Sequence, residues 1–192
     1  PVTQQTEAVG HAVRAAYMYS AMADVAALTG DEAYQQALNK LWEDVVFRKM
    51  YLTGGIGSTG AWEGFGPAYN LPNASAYCET CASIANAFWN YRMFLLEGEA
   101  KYLDVFERVV YNGVLSGISL SGDRFFYANP LASFGQHERT PWFGCACCPP
   151  NVARFLPQMG QYVYATSGDR LFVNLYGANS AQVEVKGLKV RL

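Results

Sequence analysis

The amino-acid sequence predicts a mainly helical protein, built from antiparallel helix pairs that repeat, with a change to β structure near residue 168. Three observations carry this. Apolar residues recur at helical spacing in four stretches between about Gln4 and Leu115. Leu28-Thr29-Gly30 followed by Tyr34, Leu38, Leu41 and Val46 returns, at a constant offset, as Leu96-Glu97-Gly98 followed by Tyr102, Phe106, Val109 and Val114. From Ala181 the pattern alternates instead, through Val183, Val185, Leu188, Val190 and Leu192. One helix pair cannot bury both its faces, so repeated pairs point to an α/α toroid or solenoid, with a non-repeating bundle as the alternative.

In chain order, Gln4 to Leu28 is an Ala-, Met- and Tyr-rich helical stretch, closed by Gly30 as a C′ glycine. Asp31 is placed to cap a second helix, from Glu32 to about Met50, whose stripe is Tyr34, Leu38, Leu41 and Val45. Leu52 to Pro72 is a loop with glycine at 54, 55, 57, 60, 64 and 66, and loops of that length are usually functional. Ser75 to Leu96 and Glu99 to Leu115 repeat the helix pair around Gly98. Arg124 to Asn129 and Arg170 to Tyr176 are aromatic and β-branched enough for strands, and Pro150 to Ala165 starts a helix with proline in its first turn.

A chain of 192 residues that is 51% hydrophobic and 16% charged can bury a core. A formal net charge of −2 without a Lys/Arg run argues against nucleic acid and anionic membrane surfaces as partners. No apolar stretch approaches the roughly 20 residues of a transmembrane helix, so a soluble chain is expected. It starts at Pro1 and stops at Leu192 inside the alternating pattern, which leads us to expect a piece of a longer protein. A homo-oligomer is compatible with this composition and not decided by it.

All five cysteines fall in two clusters, Tyr77-Cys78-Glu79-Thr80-Cys81 and Gly144-Cys145-Ala146-Cys147-Cys148-Pro149-Pro150-Asn151. Two short clusters far apart in sequence are the usual way to supply the four tetrahedral ligands of zinc. A disulfide framework fits poorly with an odd count in a large apolar chain, while a redox dithiol or plain buried cysteines stay open. Thiolates kept for metal favour a reducing, cytoplasmic setting. Spacing puts Cys78 and Cys81 on one side of a helical turn, whereas Glu79 and Cys81 share a side only in irregular or helix-start backbone.

Those two strings, with Tyr51-Leu52-Thr53-Gly54-Gly55-Ile56-Gly57-Ser58, Tyr69-Asn70-Leu71-Pro72-Asn73 and Tyr111-Asn112-Gly113, resemble glycoside hydrolase family 127, the β-L-arabinofuranosidases. The resemblance runs over nearly the whole chain. It implies the second half of an (α/α)6 barrel over residues 1–167, followed by the start of a β-sandwich over residues 168–192. It also implies a retaining hydrolase of L-arabinofuranosides or related plant glycans, in which a zinc-bound cysteine attacks the sugar. Carried over by position, the zinc ligands are Glu79, Cys81, Cys147 and Cys148, with Cys147 the nucleophile and Glu63 the general acid/base. His11, Glu107 and Tyr127 fall at sugar-contacting positions, each with a plainer reading as a core histidine, a helix-surface charge and a strand-packing ring. Cys78 and Cys145 are left as small packed residues beside the site.

Glu63 sits between Trp62 and Gly64-Phe65, and apolar neighbours there would favour its protonated form. The family commonly has glycine where this chain has Trp62, which alters the loop's path or narrows the leaving-group side. Trp142 and Phe143 are candidates for a pocket wall, and His137 receives no role. Two other readings remain at this point. A closed structural zinc site would fold with metal and leave Glu63 without a task, and a Cys78/Cys81 dithiol would oxidise reversibly and bind no metal tightly.

Overall fold

Helix α1 (Ala12–Thr29) buries an alanine-rich face, Ala12, Ala15, Ala16, Ala23 and Ala26, together with Tyr19 and Met22. Small side chains let α3 (Thr80–Glu97) lie close against it, and the two form the most extensive helix contact in the chain. Tyr19 and Trp89 meet across this seam with ring centroids 4.8 Å apart. The computed structural model describes residues 1–192. It divides into two compact units, Pro1–Val152 and Ala153–Leu192.

The echo read from the sequence is a structural repeat. Helix α1 ends on Gly30 and α3 on Gly98, both left-handed (φ 68° and 73°), and each glycine N–H returns to a carbonyl four residues back, on Ala26 and Phe94. Each long helix is followed by a shorter one, α2 (Glu32–Asp44) or α4 (Ala100–Arg108), packed on its own partner. Both short helices widen into a π-helical turn, Val45–Lys49 and Val109–Val114. The helices expected to run to Met50 and Leu115 are therefore α-helical only to Asp44 and Arg108. The first helix starts at Ala12 rather than near Gln4, and the third at Thr80 rather than Ser75.

The helical layer contains a polar ladder. Trp42 Nε1 donates to Asn90 Oδ1 at 2.8 Å, Asn90 Nδ2 donates to Asn86 Oδ1 at 2.9 Å, and Asn86 Nδ2 donates to the Gly54 carbonyl at 3.0 Å. Asn86 and Asn90 are fully buried, so these bonds fix α3 against α2 and the glycine-rich loop. A second device ties down the N-terminal segment. Lys49, 3% exposed, contacts Asp44 at 3.1 Å and Glu7 at 2.8 Å and donates to the Ala8 carbonyl, while Ala8 N donates to Asp44.

Arg124 to Asn129 is not a strand. Its backbone groups are shared among separate segments: Phe126 N donates to Gly117, Phe125 N to Thr140, and Asn129 N to Tyr77, while the Tyr127 carbonyl accepts from Thr80. No single neighbour runs beside it, so no ladder forms. Helix α5 (Cys148–Phe155) takes Pro149 and Pro150 in its first turn, but it starts before Pro150 and ends ten residues short of Ala165, giving way to a 3₁₀ segment.

The second unit contains a 3₁₀ segment, Leu156–Tyr162, and two antiparallel hairpins. Strands β1 (Tyr164–Ser167) and β2 (Arg170–Val173) pair Tyr164 with Val173 and Ser167 with Arg170. The alternating tail is not one strand. It folds back as β3 (Gln182–Val185) and β4 (Leu188–Arg191) around Lys186-Gly187, both at positive φ, as a tight hairpin turn requires. The first strand is under way at Tyr164, so β structure begins before the expected change at 168, and the compact units part earlier still.

Because Lys49 is buried, Asp44→Asn should cost about 2–3 kcal/mol of stability by removing the buried partner of its charge and leaving only the exposed Glu7 to pair it. Glu7→Gln, at the exposed end of the same network, should cost less than about 1 kcal/mol. Denaturant midpoints of the two variants check this ordering.

Candidate metal centre

The two cysteine clusters converge. One ligand atom from each of Glu79, Cys81, Cys147 and Cys148 lies within 4.8 Å of all the others. Cys81 Sγ is 3.2 Å from Cys147 Sγ, and both Cys147 Sγ (3.3 Å) and Cys148 Sγ (3.6 Å) donate to Glu79 Oε1. All five cysteines are free thiols.

Local backbone decides which residues face the cluster. Cys78 is left-handed (φ 42°), Glu79 is extended (φ −51°, ψ 135°), and the helix starts only at Thr80. This is the helix-start geometry that lets Glu79 and Cys81 point alike. Cys78 turns away into an apolar cluster with Tyr51 and Ala76, where burial pushes its thiol up to about 12. The two thiols of the CxxC pair serve different neighbours, which counts against a Cys78/Cys81 dithiol. Cys145 is exposed rather than packed, which corrects the reading of it as a small buried residue.

The chemistry of the group calls for a cation. Glu79 is 2% exposed, and its Oε2 is buried without a hydrogen-bond partner. A buried carboxylate oxygen left in this state is costly unless a positive charge meets it. Burial pushes the Glu79 carboxyl up, partly offset by its thiol donors. Three thiols around one carboxylate cannot all ionise unaided. Hydrogen bonds from Cys148 and Cys147 draw Cys81 down, while burial and the neighbouring Cys81 push Cys147 up to about 12. The hydrogen bond to Cys81, with burial, drives Cys148 strongly upward. Three sulfurs and one carboxylate oxygen form a donor set that suits zinc, and their span is one that an ion bonding sulfur at about 2.3 Å can bridge.

Glu63 stands beside this centre. His11, Glu63 and Glu79 form a second group whose ligand atoms all lie within 4.8 Å of one another, and His11 Nε2 is 3.0 Å from Glu63 Oε2. The glycine-rich loop is held to the start of α1 by the His11–Gly64 bridge and by Phe65 N donating to the Gly10 carbonyl at 2.9 Å. The expected apolar surround of Glu63 is not found. The left-handed backbone at Trp62 and Glu63 leaves the indole 88% exposed, and the carboxylate meets an imidazole instead.

Tyr127 also joins the centre. Burial, the Glu79 charge and a hydrogen bond to Cys147 push its phenol well above the ordinary range. Its ring meets Phe143 edge-on at 5.5 Å and Tyr77 at 6.3 Å. Trp142 is 56% exposed. His137 stacks on Phe126 at 4.5 Å and contacts the Ala128 carbonyl, bracing the segment that carries Tyr127. Glu107 is on α4 beside a surface cavity lined with Asp104, Arg108, Tyr111 and Asn112, and is not among the groups that converge on the cysteines.

Two neighbours escaped the sequence reading. Asn151 hydrogen-bonds Cys81 and, on its other side, the Tyr17 hydroxyl. Tyr77 bonds Glu63 and lies close enough to Glu79 to feel its charge. Both occur in the quoted strings, and their position next to Cys148 and Glu79 was the only available signal.

Comparison with known proteins agrees with this geometry. Residues 1–161 match the model of the β-L-arabinofuranosidase, GH127 catalytic domain. A non-reducing end β-L-arabinofuranosidase from Bifidobacterium longum subsp. longum is 38% identical over 195 aligned positions, covering 95% of this chain and 30% of that protein. A solved GH127 β-arabinofuranosidase is 59% identical with a TM-score of 0.98, covering all of this chain and 30% of its own. A GH127 β-L-arabinofuranosidase from Geobacillus stearothermophilus T6 is 50% identical with a TM-score of 0.95, covering all of this chain and 32% of its own. The chain thus spans about a third of the length of the relatives it matches. With the cysteine–glutamate centre in place and the match running through the helical unit, this chain belongs to the GH127 β-L-arabinofuranosidase catalytic-domain family.

Proposed function

We propose that this chain carries the reaction centre of a retaining glycoside hydrolase that releases L-arabinofuranose from β-L-arabinofuranosides. The observation that carries the reading is the convergence of three thiols and Glu79 next to the Glu63–His11 pair. Glu79, Cys81, Cys147 and Cys148 would hold zinc. When bound, zinc keeps its thiolate ligands deprotonated at neutral pH and lends the site positive charge.

Among the three clustered cysteines, Cys81 and Cys148 are buried and Cys147 is partly exposed. Cys147 is therefore the thiol a sugar can reach. Its sulfur attacks the anomeric carbon as the bond to the leaving oxygen breaks, and Glu63 gives that oxygen a proton. The Glu63 carboxylate then takes a proton from water. The water oxygen bonds to the anomeric carbon from the leaving-group side, and the sulfur departs as thiolate. Two inversions leave the configuration retained.

His11 fixes the Glu63 carboxylate through the 3.0 Å contact, and Tyr127 directs its hydroxyl at the Cys147 sulfur, within reach of a bound furanose. Both fit the substrate-contacting roles implied by the family. Glu107 faces a different cavity, and no step here draws on it. A closed structural zinc site accounts less well for a partly exposed Cys147 beside a second carboxylate. No helix is long and apolar enough to cross a membrane, and a reducing cytoplasmic setting suits the free thiols.

The test is release of nitrophenol from p-nitrophenyl β-L-arabinofuranoside by the full-length protein, with metal content measured in parallel. One zinc per chain is expected, and Cys147→Ser should lower kcat/KM by about 10⁴-fold or more while sparing the fold. Normal turnover in that variant would remove Cys147 as nucleophile. Chelation should abolish activity, and zinc should restore it. Cys148→Ala should lose metal where Cys78→Ala retains it, since only the former side chain faces Glu79. Glu63→Gln should slow alkyl glycosides far more than activated aryl glycosides, and equal losses would count against its acid role.

A further inference from the structure

The loop that carries Glu63 also presents an aromatic side chain that the reaction as derived does not use. Trp62 is 88% exposed. Its backbone is left-handed (φ 58°, ψ 16°), and Glu63 follows in the same region (φ 51°). L-residues adopt this conformation at a cost, and they keep it only where the surroundings enforce it. Here the enforcement comes from the base of the turn. Thr59 and Gly64 exchange backbone hydrogen bonds of 3.2 and 3.0 Å, and Ala61 N donates to Thr59 Oγ1 at 3.1 Å.

Within residues 1–192 the indole is left almost unpacked. A large apolar ring stands in water, a cost that a flat apolar surface laid against it would relieve, while the turn base holds the ring's backbone in place. Glu63, the next residue, reaches inward to His11 and stands near Glu79, while Trp62 faces solvent. A leaving group that takes its proton from Glu63 therefore has this ring one residue away, on a turn fixed at its base. A second sugar offers a suitable partner, because one face of its ring is lined with C–H groups.

We infer that Trp62 is a specificity-determining platform on the leaving-group side, stacking against the C–H face of the sugar that follows the scissile bond. This inference rests on the glycosidase reading above. It makes the loop a selector for glycosides whose leaving group is itself a sugar over those with a small alkyl one.

The experiment compares kcat/KM of the zinc-loaded full-length protein on a disaccharide and on the methyl glycoside of the same non-reducing sugar. Wild type is measured first, then Trp62→Gly and Trp62→Phe. Glycine suits the positive φ, so the first variant removes the ring without adding strain. Its loss on the disaccharide should exceed its loss on the methyl glycoside by about tenfold, with phenylalanine recovering most of the difference. Free leaving-group sugar should also quench tryptophan fluorescence in wild type and not in Trp62→Phe. Equal losses on both substrates would overturn the inference and leave the glycosidase reading intact. So would a changed unfolding midpoint with an unchanged substrate ratio, since the ring would then serve packing against another part of the protein. A wild type that hydrolyses neither substrate would sink the glycosidase reading itself, and this inference with it.

Discussion

At the start of α3 the chain passes from left-handed Cys78 through extended Glu79 into the helix at Thr80, and the whole centre depends on that reversal. Had the helix begun one turn earlier, residues 78 and 81 would share a face and the carboxylate would point elsewhere. Two loops from distant parts of the chain hold the reversal. Cys78 N donates to the Gly57 carbonyl at 2.8 Å, from the loop that carries Glu63, and Thr80 N donates to the Tyr127 carbonyl at 2.9 Å. The Thr80 hydroxyl adds a bond to the Phe126 carbonyl at 2.8 Å. The contacts that set the angle of Glu79 therefore also deliver Glu63 and Tyr127 to its sides.

Charge follows from that geometry. Burial pushes Cys147 up, and the hydrogen bond to Cys81 with burial does the same to Cys148, while hydrogen bonds from those two thiols draw Cys81 down. A cation bound by these thiols would have to displace their protons, so its affinity and proton release would be one equilibrium, and acid would compete for the same sulfurs. In the proposed reaction the nucleophile is therefore itself a ligand of the proposed metal. The thiol that reaches solvent is, without a cation, a poor nucleophile at neutral pH.

The helix pairs were legible in the sequence because their signals are local: apolar period, capping aspartate and terminal glycine all act within a few residues. The π-helical turns were not, since a widened turn keeps nearly the same apolar spacing. Arg124 to Asn129 has strand-like composition, and only the rest of the fold determines that its hydrogen bonds go to several partners. In the site, residue type and clustering indicated a metal, but spacing alone favoured Cys78 over Glu79. The deciding fact, a positive φ at Cys78, is imposed by Gly57 and its neighbours and leaves no mark on the CxxC pattern. The resemblance to the family pointed to the pair that the structure brings together with Cys147 and Cys148. The same limit applies at Trp62, where sequence adjacency to Glu63 suggested a desolvating ring and the backbone turned it outward.

The repeat also explains where the chemistry collects. His11 is the N-cap of α1, Glu79 the N-cap of α3, and Cys148 the first residue of α5. Helix N-termini carry partial positive charge from unsatisfied N–H groups, and this favours carboxylates and thiolates placed against them. The two helix pairs are alike up to their π-helical turns and diverge beyond them. The first leads into the glycine-rich loop with Glu63, and the second into the long segment that carries Tyr127 and ends in the cysteines. Both segments return to the end of the layer where the long helices begin. In a toroid of such pairs that end is the same for every long helix, so a site built from the intervening loops gathers groups from distant parts of the sequence without disturbing the packing of the helices themselves.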